Sequence, residues 1–427
     1  MSQTFHKLYQ KRLARGEWRD KPRPILINNW EATYFDFTRE KLIAIAQKAK
    51  ECGVELFVLD DGWFGARTTD HAGLGDWVAN PDRLPEGITG IAEDIEKVGL
   101  KFGLWFEPEM TNKDSDLYRE HPDWILSVPG RHDSHGRFQY VLDFSRKEVV
   151  DRIYEMMAKI LSTAKVSYVK WDMNRSITEC YSAALPADRQ GEVFHRYILG
   201  VYDLYERLTS TFPHVLFESC ASGGGRFDPG ILYYAPQGWT SDDTDAIERL
   251  SIQEGTELIY PLSTMGAHVS DCPNHTVGRS TPFMTRAHVA LAGTFGYELD
   301  ITKISEEERA MIPEQVSMYH KYNDLVREGD YYRVASYREN GLYDCWMVVA
   351  KDKSEALVTY VQVLGRPNVH SRKIKLLGLD VTAGYRLDGT DEVYGGDLLM
   401  NAGMLVEDMR GDYMSRLYHF VLDNSLT

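Results

Sequence analysis

Eight short runs of β-forming residues, each ending in polar side chains, constrain the fold of this chain more than any other feature. Helical segments separate them, with apolar residues at helical spacing such as Leu42, Ile45 and Ala49. In chain order the runs are Ile25–Trp30, Leu56–Asp61, Phe102–Glu107, Ser167–Asn174, Val215–Cys220, Gly238–Asp243, Met265–Ser270 and Thr294–Leu299. Eight strand–helix units within about 280 residues predict an α/β fold, a (β/α)8 TIM barrel whose functional groups gather at the carboxyl ends of the strands.

The pattern changes beyond residue 330, where strand-like runs follow one another without a long helical segment. These runs are Tyr331–Val334, Asp344–Ala350, Ala356–Val363, Ser371–Leu377 and Arg416–Leu422. Turn residues separate them, for example Glu339-Asn340-Gly341. We therefore predict three parts: an N-terminal helix and linker over residues 1–24, the barrel over 25–330, and a small antiparallel β-sandwich domain over 331–427.

Composition and charge exclude several classes of partner. The net charge of the 427 residues is −16, which disfavours nucleic acid and anionic membrane surfaces as partners. The five cysteines are widely spaced and include no Cys-x-x-Cys pair, so we expect neither a disulfide framework nor a zinc cluster. A reducing, cytoplasmic setting fits this cysteine usage, and no apolar run or signal peptide indicates a membrane.

The segment from Tyr168 to Arg175 begins as a buried strand and ends in charge. Lys170, Asp172 and Asn174 alternate with apolar residues, so their side chains point to the same face of the strand. These groups are costly to bury unless they are paired, and at the mouth of a barrel they would face a ligand. Asp172 is therefore the first candidate catalytic residue.

Carboxylates and tryptophans recur at the other predicted strand ends. The acids are Asp60, Asp61, Glu107, Glu109, Asp242, Asp243 and Asp245, and the tryptophans are Trp30, Trp63, Trp105, Trp171 and Trp239. A glycosidase needs two carboxyl groups flanking the scissile bond, and a flat ring suits the apolar face of a sugar. Helix caps and solvated loops would also use such acids, but they explain the whole set on one rim less well. The pattern does not choose among Asp242, Asp243 and Asp245.

Three other motifs carry weaker signals. The segment Ser219–Arg226 lacks the pattern of a phosphate-binding loop and is read as backbone that a ligand approaches closely; Cys220 within it has no general base placed beside it. The pair Asp60-Asp61 before Gly62 fits a turn, and its carboxylates could also bind the hydroxyls of a sugar. Metal binding by this pair is the weaker alternative. The histidines of His132–His135 fit a polar loop better than a metal site, and Arg137 could reach the pocket from that loop. We expect no metal and no cofactor.

Six segments resemble those of the α-galactosidases of glycoside hydrolase family 36, in the same order. They are Asn28–Ala32, Asp60–Phe64, Trp105–Glu109, Lys170–Arg175, Glu218–Gly224 and Trp239–Ala246. The resemblance implies a retaining, exo-acting α-galactosidase that releases terminal α-galactosyl residues from raffinose-family oligosaccharides and related galactosides by double displacement. It assigns Asp172 as nucleophile and Asp242 as acid/base. It also implies galactose contacts from Trp30, Asp60, Asp61, Trp105, Arg137, Lys170, Asn174, Cys220, Gly223 and Trp239.

Alternatives remain beside this assignment. The same family pattern would suit a galactosyltransferase of the raffinose- or stachyose-synthase type, or an α-N-acetylgalactosaminidase. Many members carry a large N-terminal β-sandwich domain, which we expect to be absent because the first strand begins near Ile25. An inactive sugar-binding fragment is therefore the non-enzymatic alternative. The expected partners are small galactosides, and a homo-oligomer is compatible with the resemblance.

Overall fold

A computed structural model describes residues 1–368 and 372–423 and contains a closed barrel of eight strands. The barrel strands are β1 (Leu26–Asn28), β2 (Leu56–Leu59), β3 (Lys101–Phe106), β6 (Val166–Trp171), β7 (Leu216–Ser219), β8 (Gln237–Trp239), β9 (Met265–Ser270) and β10 (Thr294–Glu298), with a small ribbon of β4 (Met110–Thr111) and β5 (Tyr140–Val141) after β3. Around the barrel their order is β1-β10-β9-β8-β7-β6-β3-β2. All eight predicted strands are present, and the predicted (β/α)8 architecture is confirmed.

Helices of the expected amphipathic type alternate with these strands. Their bounds are α1 (Ser2–Leu8), α2 (Trp30–Thr33), α3 (Arg39–Glu51), α4 (Gly87–Val98), α5 (Asp116–Glu120), α6 (Lys147–Thr163), α7 (Val193–Thr211), α8 (Pro229–Leu232), α9 (Ala246–Glu257), α10 (Phe283–Ala290), α11 (Glu306–Glu328), α12 (Tyr337–Asn340) and α13 (Gly396–Asn401). In α3 the apolar stripe of Leu42, Ile45 and Ala49, predicted from the sequence, forms the buried face. Thr38 caps the first turn of this helix by accepting a hydrogen bond from Lys41 N at 3.4 Å. The predicted N-terminal helix corresponds to α1 and a π-helical segment, Tyr9–Leu13.

The C-terminal residues form antiparallel sheets, as predicted. A six-stranded sheet has the order β11-β12-β13-β18-β15-β16, and β14 pairs with β17. The strands are β11 (Asp330–Ala335), β12 (Tyr343–Val349), β13 (Glu355–Gln362), β14 (Lys373–Ile374), β15 (Gly384–Leu387), β16 (Val393–Gly395), β17 (Met404–Leu405) and β18 (Met414–Asp423). One apolar core joins the two sheets, with Met347 and Val358 from the larger sheet and Ile374 and Met404 from the smaller. Three short strands, β15 to β17, were not predicted, and part of the predicted run beginning at Ser371 lies outside the described residues.

The chain forms two compact units. One comprises Arg12–Asp242 and Glu298–Ile304, and the other comprises Met1–Lys11, Asp243–Tyr297 and the described residues of Ser305–Thr427. Every residue proposed from the sequence for catalysis or sugar binding belongs to the first unit. The domain boundaries near residues 24 and 330 stay a prediction.

Within residues 1–368 and 372–423, no helix has the length and apolar character needed to cross a membrane.

Candidate active site

The carboxylate of Asp172 lies directly beyond the carboxyl end of β6. This strand pairs in parallel with β3 and β7, with Lys170 opposite Trp105 on one side and Glu218 on the other. The backbone N–H of Asp172 continues this ladder by donating to Phe106 O at 2.8 Å. Asp172 is buried, as are Lys170 and Trp171 before it. The strand therefore fixes Asp172 where the active site of a parallel barrel is expected.

Four N–H groups donate to the Asp172 carboxylate. Its Oδ2 accepts from Asn174 Nδ2 at 2.8 Å and from Trp105 Nε1 at 3.2 Å. Its Oδ1 accepts from the backbone N–H of Met173 at 2.8 Å and of Ser222 at 3.3 Å. Donors on both oxygens stabilise the negative charge and hold the carboxylate in one orientation.

Asp242 follows β8 and has a different environment. Its Oδ1 accepts one hydrogen bond, from Trp239 Nε1 at 3.1 Å. Burial raises the pKa of Asp242, the negative charge of Asp172 raises it further, and Lys170 opposes both. The environment of Asp242 therefore shifts this carboxyl group towards its protonated form.

Lys170 and Asp60 form a buried ion pair in the same cluster. Lys170 Nζ donates to Asp60 Oδ2 at 2.9 Å, and Asn28 Nδ2 donates to that oxygen at 2.6 Å. Burial alone would lower the pKa of Lys170, but the charges of Asp60 and Glu298 hold it well above its usual range. The ammonium also lies 5.8 Å from the centre of the Trp239 ring. Lys170 is therefore a fixed positive charge between the sugar-binding and catalytic candidates.

Asp61 pairs with a second cation, Arg67, which was not predicted from the sequence. Arg67 forms a two-pronged ion pair with it, Nε to Oδ1 at 2.5 Å and Nη2 to Oδ2 at 2.7 Å, and both side chains are buried. The close approach of Asp60 and Asp61 is therefore balanced by one cation each. Among the described residues, no group of three or more His, Cys, Asp or Glu side chains is arranged to hold a metal ion.

The loop after β7 brings backbone to the carboxylates. Cys220 is buried, its backbone N–H donates to Trp171 O at 2.7 Å, and its thiol accepts from Gly223 N at 3.4 Å. Burial, then the charge of Asp172, raise the pKa of Cys220 well above its usual range, so the thiol is poorly suited as a nucleophile. Gly223 has φ +81°, and a Cβ there would lie 2.5 Å from Ser241 Cα. Glycine is needed at this close approach.

Two glutamates that follow β3 are fully buried in distinct settings. Glu107 accepts from the backbone and side chain of Asn174 and from Gln139 Nε2 at 3.0 Å. Glu109 pairs with Arg226 through two hydrogen bonds of 2.8 and 2.7 Å and also accepts from Trp171 Nε1 at 2.8 Å. Glu109 therefore ties the loop that carries Cys220 and Gly223 to the barrel.

The acids of the Asp242 segment differ in their partners. Asp245 caps α9 by accepting from Ile247 N and Glu248 N, both at 3.0 Å, and it pairs with Arg279. Asp243 accepts from Asp245 N at 3.0 Å. These contacts give Asp245 a helix-capping role, which the sequence left open.

The remaining predicted sugar contacts are less closely tied to the carboxylates. Trp30 begins α2, is half-buried, and packs edge-on against Tyr34 and Phe35 at ring-centre distances of 5.2 Å. Arg137 is exposed at a backbone φ of +51°. No hydrogen bond between described residues joins Arg137 to Asp172 or Asp242, so its contact with a sugar stays a prediction.

Three contributors to this cluster were not predicted from the sequence. Asn28 ends β1 and could have been found by the same strand-end argument as Asp172. Arg67 comes from an irregular loop, and Ser222 contributes only its backbone N–H, so neither has a sequence signal of its own.

Comparisons with known proteins agree with this architecture. The profile of the Melibiase family matches residues 1–329, and that of the glycosyl hydrolase family 36 C-terminal domain matches residues 343–420. The chain is 55% identical to α-galactosidase AgaA of Geobacillus stearothermophilus and 51% identical to α-galactosidase Mel36A of Lactobacillus acidophilus, each over 98% of this chain. It spans 57% of the length of each of these two relatives.

Solved structures show the same similarity. A crystal structure of a Geobacillus stearothermophilus AgaA variant in complex with raffinose superposes with a TM-score of 0.97 at 53% identity, over 99% of this chain and 59% of that one. Another AgaA variant, in complex with stachyose, superposes with the same TM-score and identity over the same shares of the two chains.

Proposed function

The chain belongs to the melibiase family, glycoside hydrolase family 36, and from that membership we propose that it is a retaining, exo-acting α-galactosidase. The proposed substrates are raffinose-family oligosaccharides and related α-galactosides. Complexes of an AgaA relative with raffinose and stachyose support this choice.

The contrast between Asp172 and Asp242 is the observation that carries the proposal. Asp172 receives four N–H donors, which suit a carboxylate that must stay charged. Asp242 has one donor, and partial burial and the charge of Asp172 raise its pKa, which suits a general acid. Two carboxyl groups with opposed environments provide the acid and the nucleophile of a retaining glycosidase.

The proposed reaction has two steps. In the first, Asp242 gives its proton to the glycosidic oxygen while Asp172 attacks the anomeric carbon, which releases the alcohol and forms a galactosyl ester. Asp242, now ionised, then takes a proton from water, and the water oxygen attacks the same carbon. The ester bond breaks, galactose leaves in its original α configuration, and both carboxyl groups regain their starting states.

The cluster around Lys170 supports recognition of the sugar. Asp60 and Lys170 present a carboxylate and an ammonium in fixed positions, and Asp61 is oriented by Arg67. Charged, fixed partners suit the several hydroxyls of galactose, including its axial 4-OH. We assign Trp30, Trp105 and Trp239 to the walls of the pocket. We place Arg137, Asn174, Cys220 and Gly223 among its further contacts.

We also propose a cytoplasmic, reducing location. All five cysteines are free, and Cys180 is exposed, which suits a compartment that keeps thiols reduced. Fractionation of cells that express the protein naturally tests this location. We expect to find the activity in the cytoplasmic fraction.

Hydrolysis of nitrophenyl glycosides tests the proposed function. We expect release of nitrophenol from the α-galactoside, with little from the α-glucoside or the N-acetyl-α-galactosaminide. Raffinose should yield galactose and sucrose, and added sucrose should not accumulate as a longer oligosaccharide. Preferred turnover of the N-acetylated substrate, dominant transfer to sucrose, or binding without turnover would instead favour one of the three alternatives.

A further inference from the structure

Glu107 is a fully buried carboxyl group that the proposed reaction does not use. It follows β3, at the same end of the barrel as Asp172. Its partners are amide groups: the backbone N–H of Asn174, Asn174 Nδ2 at 3.1 Å, and Gln139 Nε2 at 3.0 Å. The neighbouring Glu109, by contrast, has the guanidinium of Arg226 against it. Among the residues that the structure describes, no cation is hydrogen-bonded to Glu107.

Asn174 links Glu107 to Asp172. The same Nδ2 that donates to Glu107 also donates to Asp172 Oδ2 at 2.8 Å, while Ser222 Oγ donates to Asn174 Oδ1 at 2.9 Å. Glu107 thus holds Asn174 at its backbone and its side chain, and Asn174 holds one oxygen of Asp172. A shift of Glu107 would reach Asp172 through a single residue.

The charges around Glu107 favour its neutral form. Burial raises the pKa of Glu107 to about 8, and the negative charge of Asp172 acts in the same direction. Arg67 and the two donors of Asn174 oppose this shift. Tyr197, from α7, also interacts electrostatically with Glu107. Its side chain is neutral near pH 7, because burial, followed by the charge of Glu109, holds its pKa well above the usual value.

The Gln139 amide can accommodate a proton on Glu107. Its Oε1 is buried and has no hydrogen-bond partner among the described residues. The nitrogen and oxygen ends of an amide are exchanged by a half-turn, so a turned Gln139 would present an acceptor to a protonated Glu107. An acceptor is therefore available on the side from which Gln139 now donates.

This inference rests on the proposed function: we propose that Glu107 is a positioning residue that acts on Asp172 through Asn174. It does so as a neutral carboxylic acid. The neutral form keeps Asn174 anchored without placing a second negative charge beside Asp172. A glutamine has nearly the same shape and is neutral, so it can replace this form, whereas an alanine cannot anchor Asn174.

Kinetics of two substitutions test the positioning role. In Glu107→Ala we expect kcat on nitrophenyl α-galactoside to fall about 100-fold, the cost of a misplaced reacting group, with KM changing less than about threefold. In Glu107→Gln we expect kcat within about fivefold of the unsubstituted protein. Glu257→Gln, at a buried carboxyl of the other unit, is the control for loss of a buried acid. A Gln variant as impaired as the Ala variant, or an Ala variant with unchanged kcat, overturns the proposal.

Infrared difference spectroscopy tests the neutral form without relying on activity. Subtracting the spectrum of Glu107→Gln from that of the unsubstituted protein should leave a carboxylic-acid C=O band at pH 6 that disappears as pH rises through about 8. In an Asp172→Asn background, which removes the neighbouring charge, the band should disappear at lower pH. Absence of the band at pH 6, or an unchanged titration in that background, overturns the proposal. If the unsubstituted protein hydrolyses no galactoside, the proposed function fails, and the spectra still decide the state of Glu107.

Discussion

Asp172 and Asp242 carry the same functional group, but their neighbours differ, and we propose opposite tasks for them. Asp172 accepts hydrogen bonds at both oxygens, from four N–H donors that hold its carboxylate in one orientation. Asp242 has one indole N–H donor and a raised pKa, due first to burial and then to Asp172. The assignment of roles therefore rests on hydrogen-bond number and charge, and it can be tested by replacing each residue alone.

Removal of Asp172 should abolish the first chemical step. We expect Asp172→Ala to lower kcat at least about 10³-fold, because no nucleophile remains to form the ester. Azide should restore turnover of a nitrophenyl α-galactoside by attacking from the vacated face, which gives β-galactosyl azide. The product is identified by its proton NMR coupling constant.

Asp242→Ala provides the matched comparison. Here the ester still forms when the leaving group is activated, and azide attacks that ester to give α-galactosyl azide. Azide products of the same configuration from both variants would contradict the two roles.

At the scale of single elements, the loop after β7 determines how closely backbone approaches the two carboxylates. Ser222 N–H reaches Asp172 at 3.3 Å, and Gly223 lies against the segment that carries Asp242. Arg226, paired with Glu109, holds the far end of the loop. The loop thus contacts both Asp172 and the backbone of Asp242.

Gly223→Ala should impair catalysis more than it impairs folding. The added Cβ would lie 2.5 Å from Ser241 Cα and 2.8 Å from Asp242 N, and φ at this position is +81°. The Asp242 segment must move, and a displacement near 1 Å costs about 100-fold in rate, so we expect kcat to fall by about 10- to 100-fold. Gly191→Ala, where the added carbon meets no atom within 4 Å, is the control and should keep full activity.

If Gly223→Ala lowered kcat no more than Gly191→Ala does, the loop would not position Asp242. Thermal unfolding of both variants separates a displaced site from a destabilised fold.

Regular elements were predictable from the sequence, and irregular ones were not. The strand that ends at Trp171, with Asp172 directly after it, was predicted because alternation on a strand fixes which side chains share a face. The strands β15 to β17 were missed because two to four residues carry too little periodicity.

The same distinction applies to the site. Asp242 was separated from Asp245 by family resemblance alone, because a helix-capping aspartate looks the same in sequence as a catalytic one. Arg67 was missed because a loop conformation, not a repeat, brings it to Asp61. Contacts made by backbone groups, such as Ser222 N–H, have no residue-type signal.

At the scale of the whole molecule, buried acids outside the site link stability to pH. Burial raises the pKa of Glu257, on α9, to about 8, and that of Asp344, on β12, to about 7. Both lie in the unit that contains the C-terminal sheet. The folded protein therefore binds protons that the unfolded chain releases between about pH 4 and 8.

The protein should lose stability as pH rises through this window. An acid with a raised folded pKa stabilises the fold below its unfolded value, and this contribution is lost as pH rises through the folded value. We expect a lower unfolding temperature at pH 9 than at pH 6, with a smaller drop in Glu257→Gln. Exposed Glu314→Gln is the control and should behave like the unsubstituted protein. An equal drop in all three proteins would show that Glu257 is not protonated in the fold.

The anomeric form of the first product tests the central claim most directly. Proton NMR during rapid hydrolysis of a nitrophenyl α-galactoside, recorded before mutarotation, distinguishes α- from β-galactose. Double displacement by Asp172 with Asp242 as acid/base predicts that α-galactose appears first and the β-anomer follows only as the sugar equilibrates. Appearance of β-galactose as the first product would contradict the retaining mechanism and the assignment of Asp172 as nucleophile.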